Sequence, residues 1–154
     1  MTEQASHPAN SEPRPQYAAL PYRIHDGVEI LLISSRDTGR WVLPKGWPMQ
    51  GRTPSGTAAR EALEEAGVVG KISSEPIGHY HYMKRKKSGR EVLCHVTVFP
   101  MLVERQRKSW PEMHQRRTCW FALSEAAALV NEPELQQVIR NFAALPDLGP
   151  ASGD

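Results

Sequence analysis

One stretch of this 154-residue chain constrains its fold more than any other. Residues 44 to 70, PKGWPMQGRTPSGTAAREALEEAGVVG, run from a glycine-punctuated loop straight into a helix whose two ends are both written in the sequence. Thr53 takes the N-cap, Pro54 the first helical position, where its missing N–H is no loss, and Gly67 the left-handed position that stops the helix. At about 100° per residue, Ala59, Ala62, Leu63 and Ala66 fall on one stripe, which must be laid on another element.

The flanking segments supply that element. YAALPYRI from Tyr17, VEILLIS from Val28 and the short WVLP from Trp41 read as strands, separated by the turns HDG and RDTGR. Two longer β-rich stretches follow, at about 70–84 and 90–103, joined by the basic turn KRKKSGR, and a polar connection then leads to RRTCWFAL. Two helical patterns close the chain, Ser124 to Val130 and Pro133 to Ala144, the second with Leu135, Val138, Ile139 and Phe142 on one face. Strands with one early helix and two late ones predict an α/β protein with a mixed sheet covered by helices on both faces.

The length suits one domain. Residues 1–16 are expected to form a flexible arm, 17–144 the domain and 145–154 a flexible tail. A net charge of +2 implies no general attraction to nucleic acid or membrane. No run of 18 or more apolar residues occurs, and the first residues lack an apolar leader core, so a cytoplasmic protein without a membrane partner is expected. Cys94 and Cys119, each in an apolar strand-like stretch, are expected to be buried free thiols. His79 and His81 read as strand-surface histidines, with no second pair at metal spacing. Trp41 and Trp120 are expected in the core; Trp47 packs in the core or flanks a ligand.

Chemistry enters with Glu61, Glu64 and Glu65, which span about 100° of arc on the side away from the stripe. Solvated helix faces mix charges, whereas Glu61 and Glu65 are a like-charged i,i+4 pair with only Arg60 beside them. A divalent cation supplies the missing positive charge, since hard Mg²⁺ and Mn²⁺ prefer carboxylate oxygens. Just upstream, Lys45, Gly46 and Gly51 form a loop whose amides and lysine suit phosphate oxygens.

Gly46 followed by Arg60-Glu61-Ala62-Leu63-Glu64-Glu65-Ala66-Gly67-Val68 resembles the signature of Nudix hydrolases, G-x5-E-x7-R-E-U-x-E-E-x-G-U with U aliphatic. Eight of its nine specified positions agree when Ala62 counts as aliphatic; Arg52 stands where that family has glutamate. The resemblance implies a Nudix-type α/β/α sandwich and a hydrolase that uses Mg²⁺ or Mn²⁺ to cleave a phosphoanhydride. It implies metal binding by Glu61 and Glu65, metal binding or base catalysis by Glu64, and orientation of the carboxylates by Arg60. It also leaves Arg52 either crippling the site or facing substrate at the mouth of the loop, the second being favoured.

Two other classes compete. GxxxxG[R]T from Gly46 nearly spells a P-loop, but Arg52 replaces the required lysine and no later strand ends in a suitable aspartate. Tyr80 and Tyr82 beside Lys84, Arg85, Lys86, Lys87 and Arg90 resemble a single-stranded RNA surface, yet a pure nucleic-acid binder has no use for three carboxylates. Nucleic acid is therefore not the expected partner.

Outside the signature, SSRDTGRWVLPKG, the basic turn, Trp110-Pro-Glu112 and RRTCWF resemble the diphosphoinositol polyphosphate phosphohydrolase branch, which also cleaves diadenosine polyphosphates. That resemblance implies a polyphosphorylated small-molecule substrate met by Arg36, Lys84, Arg85, Lys86, Lys87 and Arg116, with Arg14 a weaker candidate; Lys45, Gly46 and Arg52, in the loop before the helix, are the other expected substrate contacts. Nucleoside triphosphates, nucleotide sugars and RNA 5′ ends are the alternative substrates.

Overall fold

The structure is a computed structural model and describes residues 12–142. Its centre is an eight-stranded mixed sheet. β1 (Arg14–Ile24), β2 (Val28–Ser34), β3 (Trp41–Val42) and β4 (Lys45–Gly46) lead into helix α1 (Pro54–Ala66). β5 (Val68–Ile72), β6 (Gly78–Arg85), β7 (Glu91–Gln106) and β8 (Thr118–Ala122) follow, and α2 (Leu123–Leu129) and α3 (Pro133–Phe142) complete the described chain. The path runs β3-β2-β1-β7-β5, with β4 beside β1, β6 beside β7 and β8 beside β2.

β1 is the axis. It pairs antiparallel with β2 and β4 and parallel with β7, from Arg14 opposite Cys94 to Tyr22 opposite Leu102. Its run from Ala18 to Pro21 is buried throughout because both faces of the sheet are covered. Alternation then sends Ala18, Leu20, Ile30, Leu32, Val96 and Val98 to one core, closed by Leu135, Val138, Ile139 and Phe142 of α3 with Ala126 and Ala127 of α2. Ala19, Leu31, Ile33, Phe99 and Met101 go to the other, closed by Ala58, Ala62 and Ala66 of α1. The α/β/α sandwich is thus built as the sequence pattern predicts.

Several boundaries differ from those expectations. The strand expected from Tyr17 begins at Arg14, because Arg14 to Gln16 already pair with Cys94 to Val96. The β-rich stretch over 70–84 resolves into two strands, β5 and β6, broken between Ile72 and Gly78 around Pro76. Cys94 is buried as expected, but Cys119 on β8 is exposed. The first eleven residues of the expected arm, and the expected tail at 145–154, lie outside the described residues. No helix among the described residues is long and apolar enough to cross a membrane.

The ends of α1 are those written in the sequence. Thr53 Oγ1 accepts from Gly56 N at 3.0 Å, and Gly67 ends the helix at φ 74°. The buried face is rotated from the expected stripe: Thr57, Ala58, Ala62, Glu65 and Ala66 point inward, while Ala59 and Leu63 are only partly covered. Three alanines at i,i+4 spacing let the helix axis come close to the sheet, and that approach carries Glu65 inside. Ala62→Leu is therefore expected to force helix and sheet apart and lower stability by about 1–3 kcal/mol, measurable by denaturant unfolding.

Candidate active site

Helix α1, strand β4 and the segment between β7 and β8 converge at one end of the sheet, on a cavity of about 650 Å³. Its acidic wall holds Glu61, Glu64, Glu65 and Glu112. Its basic wall holds Arg36, Arg40, Lys45, Lys84, Arg85 and Arg116.

β4 makes the acidic wall possible. The Glu61 carboxylate lies so close to Gly46 that a Cβ there would overlap Oε2 and displace it. One residue back, Lys45 N donates to Glu65 Oε1 at 3.2 Å. The first glycine of the loop and the first glutamate of the helix are therefore one packing unit, though 15 residues apart in sequence.

Crowding these carboxyls perturbs them. Burial first, then the hydrogen bond to Glu65 and the charges of Glu65, Glu64 and Glu112, pushes Glu61 from 4.5 to about 8. Glu65, only 7% exposed, is also raised by burial, with Arg116 and Lys45 pulling the other way. Burial lowers Lys45 from 10.5 to about 8 against the opposing pull of Glu65, and its Nζ lies 4.8 Å from the Tyr82 ring centroid.

Glu64 is held differently. Arg60 Nε donates to Glu64 Oε2 at 2.7 Å, so the signature arginine is anchored within its own helix and not by the residue at position 52. Residues 13–142 match the NUDIX domain family. The chain belongs to that family.

Nudix relatives span the chain closely. "Nudix hydrolase 21, chloroplastic" from Arabidopsis thaliana is 37% identical over 130 residues, 80% of this chain and 63% of its own length. "Diphosphoinositol polyphosphate phosphohydrolase 3-alpha" from Mus musculus is 33% identical over 113 residues, 71% of this chain and 64% of its own. The chain thus spans less than two thirds of either relative. Among solved structures, an Ap4A hydrolase binary complex from C. elegans superposes with a TM-score of 0.63 at 21% identity, covering 85% of this chain and 96% of that one, a likeness of fold.

Nudix proteins use divalent metal ions, and the donor set here suits one: the acidic wall is all carboxylate oxygen, and a bound cation would favour the ionised form of Glu61 that burial first, then the neighbouring carboxyls, disfavour. Among the described residues no three such groups already converge on one point, and Glu64 is turned to Arg60.

The other site residues read from the sequence divide. Arg36, Lys45, Gly46, Lys84 and Arg85 line the cavity, Arg36 Nη1 also donating to Gln115 Oε1 at 2.8 Å. Arg52, Lys86 and Lys87 are exposed and do not line it. Arg52 precedes the N-cap, at the far end of α1 from Glu65. Arg116 is in the wall, but its guanidinium is taken up by protein acceptors. Trp47 both packs on the core and lines the cavity, with the Arg14 guanidinium 5.6 Å from its ring centroid.

Two residues were missed. Arg40 lines the cavity, its Nη2 3.0 Å from Glu132 Oε2 and its buried Nη1 without a protein partner. Glu112 joins the acidic wall through Arg116. Both lie in stretches quoted for the branch resemblance, Arg40 in SSRDTGRWVLPKG and Glu112 in Trp110-Pro-Glu112, but nothing in the local sequence says that their side chains reach the cavity.

A raised folded pKa means that the contribution of Glu61 to stability is fully present below its unfolded value of 4.5 and is lost as pH rises through about 8. Lys45 has the opposite sign, and its change lies between about 8 and 10.5, above that window. In EDTA the melting temperature is expected to fall from about pH 4.5 to about pH 8, as followed by calorimetry, and Glu61→Gln should flatten the fall.

Proposed function

We propose that this chain is a divalent-metal-dependent hydrolase of phosphoanhydride bonds in a highly phosphorylated small molecule, of the diphosphoinositol polyphosphate or diadenosine polyphosphate type. One observation carries the reading: a single cavity joins the helix carboxylates Glu61, Glu64 and Glu65, with Glu112, to the cations Arg36, Arg40, Lys45, Lys84 and Arg85, of which Arg40 is paired with Glu132 and Arg85 with Glu91. Carboxylates alone suit any hard cation. Only with the facing cations does the cavity suit a ligand with several phosphates.

The chemistry is displacement at phosphorus. A water oxygen attacks, the bridging P–O bond breaks, the leaving phosphate departs with the bond pair, and the water proton passes to a carboxylate. Glu61 and Glu65, held against β4, are the residues to hold Mg²⁺ or Mn²⁺, with Glu64 and Glu112 beside them. Such an ion, when bound, neutralises phosphate charge and lowers the pKa of water. Glu64 has Oε2 occupied by Arg60 and Oε1 left to accept a proton. Lys45, beneath Tyr82, meets phosphate as a point charge, and the exposed Arg36 offers a guanidinium that can grip a phosphate oxygen.

The murine relative's name supports this substrate class over a lightly charged nucleotide sugar. The deciding experiment is a panel of inositol pyrophosphates, diadenosine polyphosphates, nucleoside triphosphates, nucleotide sugars and 5′-triphosphate RNA, assayed with Mg²⁺, with Mn²⁺ and in EDTA. Full activity in EDTA, or best turnover of a nucleotide sugar, overturns the reading.

Glu64→Gln is expected to lower kcat by about 10²- to 10⁴-fold with the fold intact by circular dichroism. Converting Lys84 and Arg85 together to alanine should raise KM most for the most highly charged substrate, whereas the same change at Lys86 and Lys87, outside the cavity, should move it little. Arg52→Glu should leave kcat unchanged and shift the melting temperature only slightly, as exposed charges contribute about 0–1 kcal/mol; a large gain in kcat would show that Arg52 impairs the site.

A further inference from the structure

Arg116 lies in the cavity wall with a side chain only 10% exposed, and every direction of its guanidinium ends on protein. Nε donates to Glu112 Oε1 at 2.8 Å, Nη1 donates to the Ser34 carbonyl at 3.1 Å, and Nη2 stands 3.7 Å from Glu65 Oε2. An arginine bound on three sides in this way has little left for a phosphate.

The segment that delivers it is fastened to the end of α1. The last carbonyls of a helix have no helical donor, and here the segment supplies two. Gln106 Nε2 donates to the Ala66 carbonyl at 2.9 Å, and Glu112 N donates to the Glu64 carbonyl at 3.0 Å. Arg107 N adds a bond to the Gly67 carbonyl at 2.8 Å. Trp110 lies over Gly67 so closely that any Cβ there would run into the indole. Gly67 is thus required twice, for its φ of 74° and for the ring above it. The segment is therefore held in register with Glu64 and Glu65 by the backbone of the helix that carries them.

We propose that Arg116 is a positioning residue for Glu65, braced by Glu112 and Ser34 and held at its distance by Trp110 seated on Gly67. The inference rests on the reading of Glu65 as a metal-holding carboxylate. It makes a prediction of opposite sign to simple electrostatics. A guanidinium 3.7 Å from Glu65 repels a second cation, so if charge were its whole effect, removing it would tighten divalent binding. If Arg116 instead holds the carboxylate in place, removing it loosens binding, as loss of outer partners does at metal sites.

The test is Mn²⁺ binding by electron paramagnetic resonance on the full chain, with kcat and KM measured on whichever panel substrate is best. Arg116→Met is expected to weaken Mn²⁺ about 10- to 100-fold and to lower kcat comparably, with KM within about twofold. Trp110→Ala should weaken Mn²⁺ in the same direction and Trp110→Phe, which keeps a ring on Gly67, should restore it. Should Arg116→Met fail to fold, the Trp110 pair decides the matter, because it leaves every buried charge in place. Unchanged or tighter Mn²⁺ binding overturns the proposal, and so does a rise in KM at constant kcat, the mark of a substrate clamp. The Mn²⁺ measurement stands apart from the substrate reading: absence of hydrolysis across the panel would defeat that reading while leaving the sign of the Mn²⁺ change to judge Arg116.

Discussion

Pressing the carboxyls of Glu61 and Glu65 together against a two-residue strand is the constraint on which the rest of this structure depends. Removed in part from water, hydrogen-bonded to Glu65 and set among like charges, the Glu61 carboxyl is raised to about 8. The fold accepts it because everything nearby is arranged to offset it. Lys45 gives Glu65 a backbone N–H, and Arg116 gives it a cation. Gly46 gives Glu61 the room a side chain would fill.

The sandwich makes those contacts simultaneous. α1 lies on the β1 face through small residues, so its carboxylates reach β4, itself hydrogen-bonded to β1 at Tyr17–Gly46 and Ala18–Lys45. On the other side of the cavity β6 presents Tyr82, whose hydroxyl donates to Gln16 Oε1 at 2.8 Å and whose face receives the Lys45 ammonium. Each wall is fixed to β1 by a separate bond, so acidic and basic walls keep their spacing without touching a ligand. That is preorganisation in the sense useful for catalysis: charges are set before substrate arrives.

A second set of titratable groups sits away from the cavity. His81 and His95 are cross-strand partners with Nε2 and Nδ1 3.1 Å apart, and Glu134 of α3 accepts from His81 N at 2.8 Å. The strand-surface placement expected for His79 and His81 holds, and His79 stacks on His95 with centroids 4.8 Å apart. Burial leads the causes that lower His95, followed by its two histidine neighbours, while the hydrogen bonds to His81 lower Glu134. These contacts fasten α3 to the sheet edge and thereby close one of the two cores.

The sequence by itself determined the helix with its caps, the alternation that sends β1 and β2 side chains to two cores, and the signature carboxylates. Each of these is local: a cap, a period of two or a fixed spacing is legible because the atoms that interact are within a few residues. It could not determine which cations face the cavity. Lys84 and Lys87 are alike in composition, yet Lys84 lines the cavity from within β6 while Lys87 extends from the turn beyond it. Nor could it show that Arg116 is bound up by Glu112, Ser34 and Glu65, or that Arg40 reaches Glu132, since those partners are brought together only by strand pairing and by Trp110 resting on Gly67. Spacing along the chain fixed what kinds of charge were present; distance through space decided which of them remain available for a ligand.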